Sequence, residues 1–196
     1  ETYVQYNTEQ DTYANSLIKV IKKHHLWPIL QVKKFKENDN LVLLHNTYDR
    51  EDASRFRELY DQCRSVIIDF SESSIKMNTV VSYSNNIPQR ISIDDYATQI
   101  NQYDRYQEAF DGTMITVYHY NDKWHIGTSS CPDVNSSKFN SPNKSHGQMF
   151  DEILFSYAVN VSPDITSETL RDMFTANLDK SVAYEFVLLH HENTHI

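Results

Sequence analysis

Glycine, cysteine and long apolar runs are all scarce in this 196-residue chain. Three glycines, against an average share of about 7% in proteins, cannot form a glycine-rich phosphate loop or a dinucleotide-binding fingerprint. Two cysteines are too few for a disulfide framework, so reduced thiols and a cytoplasmic location are expected. No stretch approaches the roughly 18 consecutive apolar residues of a spanning helix, so no membrane partner is expected.

Positive charge is also in deficit, because the formal net charge is −9 at pH 7. This balance argues against broad, non-specific binding of nucleic acid, which requires clustered lysine and arginine. It leaves room for a local basic groove. Lys33, Lys34 and Lys36 form a small basic cluster, which we interpret first as a solvated strand end and second as an RNA contact.

The pattern of apolar residues predicts an α+β fold with mainly antiparallel sheets flanked by helices. Helices are expected over 11–25, 148–159 and 167–174, with either a helix or a loop over 49–61. Strands are expected over 29–35, 41–45, 65–70, 76–83 and 182–189. Three more are expected within 105–128, separated by turns at Asp111-Gly112 and Asn121-Asp122. The serine- and asparagine-rich residues 133–146 are expected to form a loop.

The segment 108–112, Glu-Ala-Phe-Asp-Gly, directly precedes a strand-like run and carries the first chemical signal. Taken alone it is a hairpin turn, since Asp-Gly is a common turn pair. Arg64 provides a second signal, because a guanidinium at the start of a buried strand can hold a phosphate with two hydrogen bonds. The alternative for Arg64 is a surface ion pair with Glu58 or Asp61.

Two further segments offer polar groups at strand positions. Thr128, Ser129 and Ser130 present hydroxyls that suit a phosphate, or simply a polar strand end. Glu185 lies within an apolar strand, where burying a carboxylate is costly unless it has a partner. A pair of ribose hydroxyls or a metal-bound water would supply that partner, and plain alternation with Glu185 facing solvent is an equally good interpretation.

In their order along the chain these segments resemble the motifs of RNA ligases of the phage T4 RNA ligase 1 type, which are covalent nucleotidyltransferases. Cys63-Arg64-Ser65 is similar to the family's Cys-Arg-Gly, and residues 109–113 are similar to its Lys-x-Asp-Gly-Ser/Thr. Residues 128–130 loosely resemble its Thr-x-Gly/Ser-Ser, and residues 184–187 resemble its Phe-Glu-Phe-Val. The resemblance covers residues 60–196. It implies an ATP-grasp-like ligase adenylation domain, with its first helix and strands in 1–59 and its core in 60–196.

The resemblance also implies a role for each matching residue. Ala109 stands where the family has its nucleophilic lysine, and Asp111 is the second catalytic position. The nucleotide-binding positions are Arg64, Glu108, Phe110, Gly112 and Glu185, and Glu185 would also reach Mg²⁺ through a water molecule. The family's later motifs would lie beyond Ile196, so the domain is expected to be incomplete at its C-terminal end.

The implied reaction joins an RNA 5′-phosphate to a 3′-hydroxyl. ATP adenylates the lysine, AMP passes to the RNA 5′-phosphate, and the 3′-hydroxyl then displaces AMP, with Mg²⁺ offsetting the phosphate charge. A DNA ligase or an mRNA guanylyltransferase is the alternative within the superfamily. The position of Cys63-Arg64 upstream of the Asp-Gly motif favours the RNA-ligase branch.

Ala109 has two interpretations. It is either an engineered Lys-to-Ala change in a ligase, or a natural residue of a pseudoenzyme that binds nucleotide or RNA without catalysis. We favour the first, because Asp111, Gly112 and Glu185 are all retained around it. Under both interpretations this chain does not adenylate itself.

Overall fold

A computed structural model describes residues 13–47, 54–70, 78–82, 110–138, 143–158, 162 and 164–193. Within these ranges the fold is α+β, with two antiparallel sheets flanked by helices, as the sequence predicts. No helix in the described ranges is long and apolar enough to cross a membrane.

The first sheet is built from the N-terminal part of the described chain. Its elements are helix α1 (Tyr13–Lys23), strands β1 (Leu30–Lys34) and β2 (Leu41–Asn46), a 3₁₀ turn (Ser54–Phe56), helix α2 (Arg57–Gln62), and strands β3 (Val66–Asp69) and β4 (Asn78–Ser82). The strands lie in the order β1-β2-β3-β4 and every neighbouring pair is antiparallel. Side chains of α1 pack on one face of this sheet, where Val42 and Leu44 are buried.

The second sheet and its two helices come from the C-terminal part. The elements are strands β5 (Thr113–Tyr120) and β6 (Lys123–Thr128), helices α3 (His146–Tyr157) and α4 (Ser167–Thr175), and strand β7 (Tyr184–Leu188). β5 is the middle strand, between β6 and β7, and both pairs are antiparallel. Apolar residues of α3 and α4 cover the face that carries Ile115 and Val117, both of which have 0% exposure.

Local sequence signals account for where these elements begin and turn. A capping box opens α3, because Ser145 accepts a hydrogen bond from the Gln148 N–H and the Gln148 side chain accepts one from the Ser145 N–H. The Thr166 hydroxyl caps α4 by accepting a hydrogen bond from the Thr169 N–H. Asn121 and Asp122 both have positive φ, 49° and 59°, which is the geometry of a tight two-residue hairpin turn.

Two sequence expectations are changed by the structure. The ambiguous segment 49–61 is helical where it is described, from Ser54 through α2. In the helix expected over 148–159, helical spacing places Tyr157 on the same apolar face as Phe150 and Ile153, but Tyr157 is 81% exposed. It is the last residue of α3, so the helix ends before its side chain reaches the core that buries Phe150.

The two sheets face each other through a shared apolar layer. Tyr118 of β5 is buried against Leu43 and Ile67 of the first sheet, and the Tyr120 hydroxyl donates a hydrogen bond to the Asp69 carboxylate. Burial raises the pKa of Tyr118, so its phenol stays protonated. These contacts set β5 over β3.

Candidate nucleotide site

The Asp-Gly motif lies at the start of the middle strand of the second sheet. β5 begins directly after Gly112, while Phe110 is 56% exposed and Asp111 is also exposed. Glu108 and Ala109 lie outside the described residues. The motif is therefore open to solvent at the end of a well-buried strand.

Gly112 is required by its neighbour, β7. A Cβ atom added there would lie 2.7 Å from the Leu188 carbonyl oxygen and 2.7 Å from Val187 Cγ1, closer than real Cβ atoms come. None of the glycines has a positive φ, so Gly112 is not the left-handed residue of a hairpin turn. Because glycine has no side chain, Gly112 lets the two strands approach each other closely.

β7 brings Glu185 next to the same strand. Glu185 pairs directly with Thr116 of β5, and directly paired residues share one face of a sheet. Burial alternates along β7, with Glu185 exposed and the residues on either side partly buried against the helices. Glu185 therefore lies on the sheet face that is turned toward the first sheet, where a ligand can reach its carboxylate.

Arg64 and the Asp-Gly motif lie at the same end of the two sheets. Tyr120 of β5 is hydrogen-bonded to Asp69 of β3, and Tyr118 packs against Ile67. Two residues nearer the N-terminal end of each strand, Thr116 is therefore level with Ser65. β3 begins at Val66, directly after Ser65, and β5 begins at Thr113, three residues before Thr116, so Arg64 and Asp111-Gly112 precede the two strands at the same end.

Arg64 makes no ion pair with a described residue. Asp61, one of its expected surface partners, instead accepts a hydrogen bond from Arg57 at 2.7 Å, and Glu58 accepts one from Gln62 at 3.4 Å. The half-buried Arg64 guanidinium thus keeps its donors for another partner, as a phosphate contact requires.

A buried polar network supports the motif from the helix side, and the sequence did not reveal it. Thr113 Oγ1 lies 3.2 Å from His146 Nε2 and accepts a hydrogen bond from Asn193 Nδ2 at 3.1 Å. His146 Nδ1 lies 2.8 Å from Ser137 Oγ. Asn193 also donates to the Leu188 carbonyl at 3.2 Å. The network ties the start of β5 to the start of α3 and to the chain after β7.

The hydroxyl of Thr128 is used within the fold. It lies 3.4 Å from Ser137 Oγ and accepts a hydrogen bond from the Cys131 N–H at 3.1 Å, and Thr128 is only 6% exposed. Of the three hydroxyls expected to face a phosphate, those of Ser129 and Ser130 are the more accessible.

A groove of about 850 Å³ lies at the other end of the sheets. The lysine cluster 33, 34 and 36 lines it, together with Lys123 and Arg171, and five acidic residues line it as well. Lys36 forms an ion pair with Asp133 at 3.8 Å. The groove contains none of the predicted nucleotide-binding residues, and its balanced charge favours the interpretation of the cluster as a solvated strand end.

The chemistry of the site fits Mg²⁺ only through water and phosphate. The described residues contain no group of three or more His, Cys, Asp or Glu side chains that could hold a metal ion. Glu185 offers an exposed carboxylate, and Mg²⁺ is commonly bound by one or two carboxylates together with waters and substrate phosphates.

Comparison with known proteins finds a distant similarity to an RNA ligase. Over 104 residues, 50% of this chain, the sequence is 24% identical to a protein of Autographa californica nuclear polyhedrosis virus that is provisionally described as a bifunctional polynucleotide kinase/RNA ligase. The matched part is 15% of that viral protein. No family model matches the chain, and no solved structure matches it.

Proposed function

We propose that this chain is the nucleotide-binding part of an RNA-ligase adenylation domain that takes ATP with Mg²⁺. The observation that carries the proposal is the order of the motifs on packed and paired strands. Asp111-Gly112 opens β5, Glu185 lies on the strand paired with it, and Arg64 opens the facing strand β3. The distant similarity to a viral kinase/RNA ligase supports the choice of RNA as substrate.

Each side chain has a role that its surroundings permit. Arg64, without an ion-pair partner among the described residues, binds a phosphate of the nucleotide. Asp111, exposed at the start of β5, orients the reacting group. Glu185 accepts hydrogen bonds from ribose hydroxyls or from a water on Mg²⁺, and bound Mg²⁺ offsets the phosphate charge. Glu108 and Phe110 flank the Ala109 position and contact the nucleotide, while Gly112 keeps β7 close to the motif.

Ala109 prevents this chain from forming a covalent adduct with the nucleotide. A methyl group has no lone pair with which to attack the α-phosphate, so no covalent lysine adduct forms. The chain binds ATP and releases it unchanged. A Lys-to-Ala change in an active ligase leaves the rest of the site in place, which agrees with the retention of Arg64, Asp111 and Glu185.

The test is to restore the lysine. Ala109→Lys in the complete protein should give an acid-stable adduct with ATP labelled at the α-phosphate, and Ala109→Gln, of similar reach but without an amine, should give none. Adding Arg64→Ala to the lysine variant should reduce the labelling. If folded Ala109→Lys protein takes up no label from ATP or GTP, the nucleotidyltransferase proposal fails.

Substrates then separate the branches of the superfamily. Labelling by ATP and joining of RNA with a 5′-phosphate and a 3′-hydroxyl identify an RNA ligase. Joining of nicked DNA identifies a DNA ligase, and labelling by GTP identifies a guanylyltransferase.

A non-catalytic binding module is the second candidate, and Ala109 itself is the observation that favours it. A natural pseudoenzyme would bind ATP or RNA, and the labelling experiment with Ala109→Lys would distinguish it from a disabled ligase. Restoring the lysine would give no adduct although nucleotide binding is intact.

A further inference from the structure

His146 is a buried side chain that lies outside every motif found in the sequence. It is the first residue of α3 and is 2% exposed. Both ring nitrogens lie within hydrogen-bonding distance of a hydroxyl group, because Nε2 is 3.2 Å from Thr113 Oγ1 and Nδ1 is 2.8 Å from Ser137 Oγ. A hydroxyl can donate or accept, so both contacts hold in either tautomer of the neutral ring. The imidazole therefore bridges two hydroxyl groups.

The position of the His146 ring is fixed independently of Thr113. The backbone N–H of His146 donates a hydrogen bond to the Ser137 carbonyl at 2.8 Å. The capping box at Ser145 fixes the start of the helix that carries the ring. A side chain on a well-capped helix is held more precisely than one on a loop. His146 can therefore serve as an anchor for the hydroxyl groups that it contacts.

Thr113 is the link between this anchor and the Asp-Gly motif. It directly follows Gly112 and is the first residue of β5. A second contact holds it from the side of β7, because Asn193 Nδ2 donates to Thr113 Oγ1 at 3.1 Å and to the Leu188 carbonyl at 3.2 Å. The Thr113 hydroxyl is thus held between α3 and the chain after β7. The backbone of Asp111 and Gly112 is held with it, since it is directly bonded to Thr113.

The same anchor reaches the hydroxyl-rich segment 128–130. The Ser137 hydroxyl, which contacts His146 Nδ1, lies 3.4 Å from Thr128 Oγ1. Thr128 is the last residue of β6, the other neighbour of β5. Antiparallel pairing places the start of β5 and the ends of β6 and β7 at one end of the second sheet. One imidazole ring therefore connects all three strand ends.

We propose that His146 is a positioning residue of the nucleotide site, which acts through Thr113 to hold Asp111-Gly112 in the geometry that binds the nucleotide. This inference rests on the proposed nucleotide binding. A motif at a solvent-exposed strand start samples several geometries unless a contact holds it. Ligand affinity falls in proportion to the fraction of molecules that have the competent geometry. His146 raises that fraction before the nucleotide binds, without touching the nucleotide itself.

Two substitutions that separate the two nitrogens of the ring test the inference. The amide of His146→Gln reaches the position of Nε2 and keeps the contact with Thr113, whereas the shorter His146→Asn reaches only the position of Nδ1 and keeps the contact with Ser137. Each variant loses one hydrogen bond, so both melting temperatures should fall by about 2–6 °C. Only His146→Asn should bind ATP about three- to tenfold more weakly than the unmodified chain, the equivalent of one neutral hydrogen bond.

Thr113→Val removes the same contact from the side of β5, and it carries the test if His146→Asn does not fold. Thr113→Val should weaken ATP binding at least as much as His146→Asn, and Thr113→Ser, which keeps the hydroxyl, should retain the affinity. Adding His146→Asn to Thr113→Val should cause no further loss of affinity, because His146 acts through that hydroxyl.

Thr175→Val is the matched control for the loss of a buried hydrogen bond. Thr175 is 4% exposed, and its hydroxyl donates to the Arg171 carbonyl at 2.9 Å within α4. It lines the groove that contains none of the predicted nucleotide-binding residues. Its replacement should lower the melting temperature by a similar amount and leave the affinity for ATP unchanged.

The outcomes separate this inference from the proposed function. If His146→Gln and His146→Asn weaken ATP binding equally, or if neither changes it, the positioning role is refuted while nucleotide binding stands. Unchanged ATP affinity in Thr113→Val refutes the positioning role as well. If the unmodified chain binds no ATP, both the inference and the proposed function fail.

Discussion

Replacing Gly112 with alanine should destabilise the fold and weaken nucleotide binding together. The added Cβ would lie 2.7 Å from the Leu188 carbonyl oxygen and 2.7 Å from Val187 Cγ1. The valine methyl can move aside by rotation, but the carbonyl belongs to the backbone of β7. The strand must therefore shift away from β5.

The cost follows from the size of that shift. The contact is about 0.7 Å inside the 3.4 Å at which ordinary contact begins. Overpacking of this kind costs about 1–3 kcal/mol. In a chain of this length each kcal/mol corresponds to about 2–4 °C in the melting temperature, so a decrease of about 2–12 °C is expected. Because Glu185 lies on the displaced strand, ATP affinity should fall as well.

Urea denaturation and ATP titration of the same protein samples provide the measurement. Asn177→Ala is the control, since Asn177 is exposed, lies outside the predicted nucleotide-binding positions, and such surface changes alter stability by less than about 0.5 kcal/mol. A Gly112→Ala variant as stable as wild type would refute the close approach of β7 to the motif. Lost stability with unchanged ATP affinity would instead refute the link between β7 and the nucleotide site.

Two further predictions concern the framework of the fold. Arg171 forms a two-pronged pair with Asp151, at 2.7 and 2.9 Å, and both side chains are largely buried. Arg171→Met should therefore lower the free energy of unfolding, measured in urea, by about 1.5–3 kcal/mol, the range for hydrogen bonds to charged groups. The exposed pair of Arg57 with Asp61 is the control, and Arg57→Met should cost less than about 1 kcal/mol; equal losses would contradict the argument from burial. Burial lowers the pKa of His45 and of His125, so below the ordinary value near 6.5 the unfolded chain binds protons that the folded chain does not. The free energy of unfolding should therefore decrease as the pH falls through 6.5 toward the lower pKa values of the folded state. His45→Phe should reduce this dependence of stability on pH. An unchanged dependence would show that the pKa of His45 is the same in the folded and unfolded chains.

Local chemistry made much of the fold readable from the sequence. The start of the helix at Ser167 and the Asn121-Asp122 turn depend on neighbours only a few residues apart, and both lie where they were predicted. Apolar spacing located the helices and strands for the same reason. The expected burial of Tyr157 was wrong, because helical spacing specifies which face of a helix is apolar but not how far the opposing core extends.

Some features of the candidate site also follow from the sequence, and others follow only from the fold. The residue types Arg64, Asp111 and Glu185, and the absence of an amine at Ala109, belong to the sequence alone, because chemical capacity needs no coordinates. Their assembly depends on pairing between distant strands. The exposure of Glu185, the use of the Thr128 hydroxyl by Ser137 and the unpaired Nε2 of His45 each depend on what lies opposite.

What the sequence determined by itself is the set of elements, their caps and turns, and the chemistry available at each motif. What only the tertiary structure decided is which strand lies beside which, and therefore which polar atoms are already paired. Gly112 shows the difference: the sequence suggests a turn, whereas the fold requires a glycine because β7 approaches closely enough to exclude a Cβ. Contacts within a few residues follow from local geometry, but the approach of β7 to Gly112 and the contact of Tyr118 with Leu43 and Ile67 exist only once distant strands have paired and packed.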